Sequence, residues 1–498
     1  MFEALVDGLL KVLSWPAFGF LLIGAAVGFI VGILPGIGGL STLALMLPFA
    51  YTIQEPIQAF CFLLGMHAIT GTTGDITSIL FGIPGEGTAA ATIIDGYPMT
   101  KKGEAGRALG AALMSSLVAG LEGAIILAIS IPIMRPLVLF FASPELFMLA
   151  ILGITFIASL SGESLLKGLL AAGIGLMLAS IGVDPQTGVL RYTMGTLYLW
   201  DGLSLIPVVI GLFAIPEIVD LAVRGTSIVE ERVEKLEGVM EGVKDTFRHF
   251  WLVMRCGFIG IFIGALPGLG GSVSQWLAYG HAVQSSKDPS RFGKGAVEGV
   301  LGPGAANNSK EGGNLIPTVA FGIPGSAGMA ILLGAFILVG LNPGPEMLAQ
   351  HLDITFAMVW ILVIANIVTA GVAFLFLNQL AKITSVRGGL LIPFLLFFIF
   401  LGSFTAHNNL TDIVVAIIFG LLGYFMVLFG WPRPPFVLGL VLGGIAENNL
   451  WISSTVYGAN WLLQPSIIVI FLIILAILGY SVFKPKKRES ELGGYKET

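Results

Sequence analysis

Charged residues are scarce in this chain, and their scarcity identifies the solvent that the protein faces. Asp, Glu, Lys and Arg make up 11% of the 498 residues, whereas 56% are hydrophobic. The mean hydropathy is +0.93. A soluble globular protein carries about 25% charged residues. This chain has too few charges to cover a water-facing surface, so most of its surface must face lipid.

Other scarcities exclude further classes of protein. The two cysteines, Cys61 and Cys256, lie in apolar segments, which predicts buried thiols rather than a disulfide or a metal site. A net charge of −5 gives no basic surface for a nucleic acid. The sequence contains neither an HExxH motif nor a recognisable Ser/His/Asp arrangement, so we expect no enzyme and no cofactor. His67 and His281 are expected to be structural.

The uncharged runs are too long for single membrane spans. Val12 to Gln54 is 43 residues without a charge. As one helix it would be roughly 65 Å long at about 1.5 Å per residue. That is about twice the thickness of the hydrocarbon core. The chain must therefore turn inside or near the membrane, and we expect about ten to fourteen crossings plus several half-spanning pieces.

Two motifs occur twice in the same order. GILPGIGG at 32–39 returns as GALPGLGG at 264–271, and FGIPG at 81–85 returns unchanged at 321–325. Two ordered recurrences predict an internal duplication. The expected fold is an all-α polytopic membrane protein of two homologous repeats, inverted relative to each other, with broken or re-entrant helices.

The duplication divides the chain into four parts. The first membrane repeat is predicted at 1–223 and the second at 251–483, joined by a charged segment at 224–250 that is typical of a solvated linker helix. The remaining tail, 484–498, begins with KPKKR directly after an apolar run. By the positive-inside rule this places the C-terminus in the cytoplasm.

Paired interruptions of this kind indicate a transport site. Unwound backbone at membrane depth is tolerated only beside protein or a wet cavity. Gly/Pro-interrupted segments at matching positions of two halves are typical of transporter binding sites. Free N–H groups at half-helix N-termini attract anions, and the carbonyls at the opposite ends suit cations. For one motif alone, a helix kink or a close helix crossing would be the favoured explanation, whereas two ordered pairs favour the site.

The candidate site residues lie beside these interruptions. Backbone N–H groups, hydroxyls, amides and one ammonium suit a carboxylate ligand, and the predicted set is Gly36, Gly38, Gly39, Ser41, Thr42, Pro84, Gly85, Gly268, Gly270, Gly271, Ser272, Asn307, Asn308, Lys310, Pro324, Gly325 and Ser326. The predicted coupling-ion set, for Na⁺ or H⁺, is Asp75, Thr77, Ser78, Asn314 and Thr318. An intramembrane carboxylate such as Asp75 is costly and marks function by default.

Two alternatives are open for these residues. Ser and Thr in membrane helices often bond the preceding turn of their own helix. Lys310 neighbours Glu311, which is also compatible with a solvated loop.

The motifs resemble a known family. Residues 34–51, LPGIGGLSTLALMLPFAY, and 74–110, GDITSILFGIPGEGTAAATIIDGYPMTKKGEAGRALG, resemble the large membrane subunit of the bacterial tripartite tricarboxylate transporters. ALPGLGGS at 265–272, GGNLIPTVAFGIPGS at 312–326 and GLVLGGIAENNL at 439–450 follow the same pattern. The resemblance covers nearly the whole chain.

The resemblance implies a secondary transporter of the inner membrane. Such a protein works with a small membrane subunit and a periplasmic solute-binding protein, and imports carboxylates such as citrate using an ion gradient. One departure is that Ser-Lys-Glu follows the Asn-Asn pair here, where the family usually has small residues. If Lys310 reaches the site, the substrate differs from citrate in charge or size. A channel and a membrane-embedded enzyme are the alternative functions.

Overall fold

The chain is almost entirely helical. The computed structural model describes residues 1–33, 38–53, 55–82, 84–85, 89–138, 140–160, 165–184, 186–224, 236–266, 270–383, 392–405 and 408–483. Within these residues it forms twenty α-helices and a single two-stranded hairpin, β1 (Gly182–Val183) with β2 (Leu190–Arg191). The predicted all-α polytopic fold is confirmed.

Of the twenty described helices, nine lie in the first half and eleven in the second. Those of the first half are α1 (Phe2–Leu13), α2 (Ala17–Ile33), α3 (Gly39–Tyr51), α4 (Pro56–Phe81), α5 (Ala90–Lys101), α6 (Ala105–Val138), α7 (Ser143–Leu160), α8 (Leu165–Ala179) and α9 (Leu205–Arg224). Those of the second half are α10 (Val239–Arg248), α11 (Phe250–Gly264), α12 (Gly270–Ser285), α13 (Glu298–Phe321), α14 (Ala327–Leu338), α15 (Pro345–Ala349), α16 (Leu352–Ile383), α17 (Ile392–Thr405), α18 (Leu410–Leu428), α19 (Arg433–Tyr457) and α20 (Pro465–Phe483).

Several helices could cross a membrane by length and composition. In the described part of the chain, four are long and apolar enough, namely Ala105–Pro136, Leu352–Leu377, Leu410–Leu428 and Arg433–Leu463. The bent pairs α1–α2 (69°) and α10–α11 (81°) raise the number to six if each is one span. Shorter apolar helices of 10–17 residues accompany them. The expected ten to fourteen crossings stay a prediction.

The same packing pattern occurs twice. α2 packs along α4 as α11 packs along α13, and α8 packs on α19 as α9 packs on α18. Contacts also cross between the halves, since α6 packs along α13 and α16 packs against α4. The two halves are therefore interleaved around a common core.

The first helical hairpin follows from a ridge of glycines on α2. A Cβ placed on Gly24 would lie 2.2 Å from the carbonyl oxygen of Phe62, and one on Gly28 would lie 2.4 Å from that of Met66. Both positions advance by one turn, so α2 runs parallel to α4 in close backbone contact. The chain between two parallel helices must reverse, and α3 makes this return. α2 and α3 are thus the two arms of a helical hairpin.

The second half repeats this hairpin. A Cβ on Gly260 would lie 2.8 Å from the Ala306 carbonyl oxygen, and one on Gly264 would lie 2.4 Å from that of Lys310. α11 therefore runs parallel to α13, and α12 returns to the start of α13. Whether these hairpins enter and leave a membrane on one side stays a prediction.

Two peripheral helices tie the halves together through ion pairs. Lys11 of α1 binds Asp353 of α16, and Arg107 of α6 donates from Nε to Asp245 of α10 at 2.7 Å. The two contacts correspond, but the peripheral helix carries the positive residue in the first (Lys11 on α1) and the negative residue in the second (Asp245 on α10). Within the segment predicted as a solvated linker, α10 packs on α6 with Asp245 buried, and the linker role stays a prediction. Residues 225–235 lie outside the described residues.

We predict that Gly28→Val separates α2 from α4. The new side chain would enter the space of the Met66 carbonyl, and overpacking of this kind costs roughly 1–3 kcal/mol. The midpoint of thermal unfolding in detergent should fall. Gly173→Val in α8 is the matched control, since a Cβ there meets nothing within 4 Å. Equal midpoints for the two variants would contradict the parallel packing.

Candidate functional site

Each FGIPG motif ends a long helix. Gly82 stops α4 with φ +68°, and Gly322 stops α13 with φ +66°. This left-handed conformation is a common helix C-terminus and favours glycine. The two copies therefore make the same turn in the two halves.

The last glycine of each motif lies against the end of a broken helix. A Cβ on Gly85 would lie 2.9 Å from the Gly32 carbonyl oxygen, and one on Gly325 would lie 2.5 Å from the Gly264 carbonyl oxygen. The two motifs of each half are thus brought together, although about 45 residues separate them in the chain. Carbonyls at a helix C-terminus carry the negative end of the helix dipole. Both junctions consequently present negative backbone charge.

Between the two junctions, α4 and α13 cross in antiparallel directions. Asn307 donates from Nδ2 to the Gly71 carbonyl oxygen at 2.8 Å, and His67 Nε2 lies 3.5 Å from Glu311 Oε2. Asn307 and Glu311 each follow their counterparts His67 and Gly71 by 240 residues, the spacing of the FGIPG motifs. The 67–311 contact and the 71–307 contact are therefore equivalent by the repeat, and the internal two-fold axis passes between them. An inverted repeat predicts such an antiparallel crossing.

Asp75 is the buried carboxylate on one side of this crossing. It is 2% exposed, and it accepts hydrogen bonds from Thr92 at 2.8 Å and from Asn307 Nδ2 at 3.1 Å. These two donors reach different oxygens of the carboxylate. Thr92, on α5, was not predicted from the sequence.

The hydroxyls next to Asp75 have local partners. Thr77 and Ser78 both donate to the Gly74 carbonyl oxygen at 3.0 Å. This matches the alternative that hydroxyls bond their own preceding turn. Thr318 does the same in α13, donating to the Asn314 carbonyl oxygen at 2.6 Å.

Lys310 lies inside α13, which corrects the solvated-loop alternative. It is 5% exposed, and its Nζ lies 3.2 Å from Glu311 Oε1 and 3.3 Å from Asn307 Oδ1. Asn314 donates to the other Glu311 oxygen at 3.2 Å. A continuous line of polar contacts therefore joins His67, through Glu311 and Lys310, to Asn307 and then to Asp75.

A second amide extends the polar layer towards α6 and α16. Asn308 donates from Nδ2 to Thr72 at 2.6 Å and also to Asn366 Oδ1 on α16. The hydroxyls of Thr72 and Ser116 on α6 lie 3.3 Å apart. Four helices, α4, α6, α13 and α16, thus meet at this layer.

Three buried polar atoms at the layer lack a hydrogen-bond partner among the described residues. They are His67 Nδ1, Asn308 Oδ1 and Asn314 Oδ1. Asn314 Oδ1 faces the end of α11, 3.1 Å from where a Cβ on Gly264 would lie. Buried polar groups are normally paired, so these atoms are available to a ligand or to water.

The remaining predicted residues are spread more widely. Ser326 caps α14 by accepting from the Met329 N–H at 3.3 Å, and the Gly325 N–H donates to Thr318 Oγ1 at 3.3 Å. On α3, Ser41 donates to the Phe213 carbonyl oxygen of α9, away from the α4–α13 crossing. Gly38 N-caps α3 with φ +22°, Gly39 begins that helix, and Gly270 and Gly271 begin α12.

Some predicted positions lie outside the described residues. Gly36 and Gly268 are not among the described residues, and nothing is described of the Ser272 side chain. Pro84 and Pro324 lie within the two FGIPG turns. Thr42 donates to the Gly38 carbonyl oxygen at 3.1 Å and lines an open, mainly apolar cavity of about 740 Å³ between α2, α3, α4 and α17.

Sequence reasoning assigned His67 a structural role and did not select Glu311. The internal repeat identifies both residues. With an offset of 240 residues, His67 in α4 corresponds to Asn307 in α13, and Gly71 corresponds to Glu311. The cluster contains an ammonium, which suits an anion, and carbonyl, amide and carboxylate oxygens, which suit a cation. Among the described residues, no group of three or more His, Cys, Asp or Glu could hold a metal ion.

The chain is similar to known proteins over most of its length. The family described as Tripartite tricarboxylate transporter TctA family matches residues 18–438. An Agrobacterium vitis protein described as "Uncharacterized 52.8 kDa protein in TAR-I ttuC' 3'region" is 33% identical over 428 residues, which is 86% of this chain and 85% of that protein. A second, from the TAR-II ttuC' 3'region, is 32% identical over 191 residues, 38% of this chain and 79% of that protein. No solved structure matches significantly.

We predict that Asn307→Ala destabilises the folded protein. The change removes a donor from the Gly71 carbonyl and from the buried Asp75 carboxylate, and an unsatisfied buried group costs roughly 1–3 kcal/mol. The thermal midpoint in detergent should fall relative to Asn449→Ala. Asn449 is the matched control because its amide donates to Ile445 within its own helix. If both variants melt alike, the amide does not hold the crossing together.

Proposed function

Because the chain belongs to the tripartite tricarboxylate transporter TctA family, we propose that it imports a di- or tricarboxylate or a related organic anion. The import crosses the bacterial inner membrane, uses a gradient of Na⁺ or H⁺, and leaves the C-terminus in the cytoplasm. The family works with a small membrane subunit and a periplasmic binding protein in a tripartite system. We propose that such a binding protein delivers the substrate to this chain.

One observation carries the proposal. Two broken-helix junctions flank an antiparallel crossing whose core contains the buried ammonium of Lys310. A buried charge must be compensated. Glu311 compensates this ammonium in the structure, and a substrate carboxylate would meet the same requirement. The amides of Asn307 and Asn308 lie next to Lys310 on α13.

The roles of the other residues follow from their positions. The anion would lie near the midplane at the Lys310 ammonium, and the backbone N–H groups predicted at 36–39 and 268–271 and the Ser272 hydroxyl would complete its binding. Ser41 would not take part, because its hydroxyl bonds the Phe213 carbonyl oxygen. A coupling cation would bind beside the carbonyl oxygens of Gly32 and Gly264, which the last glycines of the FGIPG motifs approach. The predicted set of Asp75, Thr77, Ser78, Asn314 and Thr318 lies on the two helices alongside.

The two-fold arrangement suits alternating access. An inverted pair of repeats has two equivalent arrangements that open the centre to opposite sides. One helical bundle would move against the other around the α4–α13 crossing.

The first test is uptake of radiolabelled citrate and succinate into cells that produce the chain together with a small membrane subunit and a periplasmic binding protein of the tripartite system. We expect accumulation that collapses when the Na⁺ gradient, or the proton gradient, is abolished. Equilibration without any gradient dependence would indicate a channel. Failure to take up any of a panel of di- and tricarboxylates would contradict the proposal.

The second test addresses the helix breaks. Gly38→Val and Gly270→Val should each reduce uptake to background while leaving membrane insertion intact. Gly38 has φ +22°, a conformation that a β-branched residue strongly disfavours. Gly371→Val on α16 is the control, since a Cβ there meets nothing within 4 Å. Normal uptake by both variants would remove the site from these breaks.

A further inference from the structure

The starting observation is a buried pair of opposite charges whose carboxylate is shared with a third group. Lys310 Nζ lies 3.2 Å from Glu311 Oε1, and His67 Nε2 lies 3.5 Å from Glu311 Oε2. All three side chains are at most 7% exposed. Burying an ion pair gives little net stability, because the desolvation of both charges offsets their attraction. A pair in this position therefore calls for an explanation other than stability.

The duplication shows that the fold does not need the pair. Lys310 and Glu311 correspond to Thr70 and Gly71 in the first half, 240 residues earlier. There the crossing is made by an amide, Asn307, that donates to the Gly71 backbone carbonyl. The same backbone crossing is thus made by an amide-to-carbonyl hydrogen bond on one side of the two-fold axis and by the His67–Glu311 contact on the other.

We propose that Glu311 is an internal counter-anion. Its carboxylate pairs with the Lys310 ammonium until a substrate carboxylate takes its place, and it then moves towards His67. This inference rests on the proposed function and deepens it. It makes Glu311 a specificity-determining residue and His67 a positioning residue that receives the displaced carboxylate. The substrate must carry a carboxylate or an equivalent anionic group to compete.

The distances describe how the exchange occurs. Glu311 uses different oxygens for its two sets of partners, with Lys310 on Oε1 and with His67 and Asn314 on Oε2. When Glu311 releases Lys310, its carboxylate therefore still contacts His67 and Asn314. No covalent bond changes, and Lys310 exchanges one carboxylate for another.

The position of His67 is set by the start of α14. A Cβ placed on Gly328 would lie 2.5 Å from both Cε1 and Nε2 of the His67 ring. Since Gly328 follows the second FGIPG motif by three residues, the ring bridges the polar core and that turn. The His67 ring would thus transmit a displacement of Glu311 to the turn where the second broken helix meets FGIPG.

The arrangement has a consequence for affinity and release. A tethered carboxylate competes at an effective concentration in the millimolar range or above, so it weakens substrate binding. The same competition speeds release, because Glu311 returns to Lys310 as the substrate leaves. Neutral ligands gain nothing from the exchange, and the site selects against them.

The test measures binding of citrate and of succinate to the purified full-length chain in detergent at fixed pH. Glu311→Gln should lower the Kd for the bound acid by about tenfold or more, since one tenfold step corresponds to about 1.4 kcal/mol. It should also slow substrate exchange in proteoliposomes. Glu122→Gln, another partly buried carboxyl on the neighbouring helix α6, should change the Kd by less than twofold.

Two further variants examine the positioning role of His67. His67→Asn, which places the residue of the other repeat at this position, should raise the Kd several-fold in the wild-type background. In the Glu311→Gln background it should have no further effect, because the displaced carboxylate is gone. Such coupling between neighbours is what a double-mutant cycle detects. An additive effect would indicate that His67 acts independently, and would overturn this part of the inference.

A second variant at position 311 serves as the control for misfolding. Glu311→Gly restores the residue of the first repeat and should tighten binding as Glu311→Gln does, with size-exclusion profiles confirming intact protein. Unchanged or weaker binding in both Glu311 variants, while wild type binds and takes up the acid, would overturn the inference alone. Absence of both binding and uptake in wild type would instead overturn the proposed function, and the inference with it.

Discussion

Unpaired backbone groups at the ends of α2 and α11 cannot face lipid, and the architecture is organised around that constraint. Each broken helix ends beside the middle of a long helix, and a glycine of FGIPG approaches its last carbonyl. The glycine ridges on α2 and α11 allow this contact, because any side chain would hold the helices apart. The ends of α2 and α11 are consequently packed against protein.

The enclosure brings the halves together in a form that permits function. α4 and α13 cross in antiparallel directions on the two-fold axis, and the side chains at the crossing differ between the repeats. The backbone arrangement is nearly symmetric, whereas Lys310, Glu311 and His67 have uncharged counterparts in the other half. A symmetric scaffold allows two opposite states, and an asymmetric charge set allows one ligand to be preferred over another.

Much of this could be predicted from particular residues. The paired Pro-Gly and FGIPG motifs indicated both the duplication and the position of the breaks, and the scarcity of charge indicated a polytopic helical fold. Asp75, Asn307, Asn308 and Lys310 were selected as polar residues in apolar surroundings, and they meet at one layer. Ser41 was selected on the same ground, yet its hydroxyl bonds the Phe213 carbonyl elsewhere. Proximity to a motif in the chain does not determine the direction of a side chain.

The sequence by itself determined the solvent, the helical class, the internal repeat and the family resemblance, because composition and ordered motifs are properties of the chain. Only the tertiary structure decided that α2 runs parallel to α4, that α4 crosses α13 in the opposite direction, and that His67 meets Glu311. The contacts between α4 and α13 join residues more than 200 positions apart. They depend on which backbones can approach closely, and that is settled by packing between elements rather than by any local pattern.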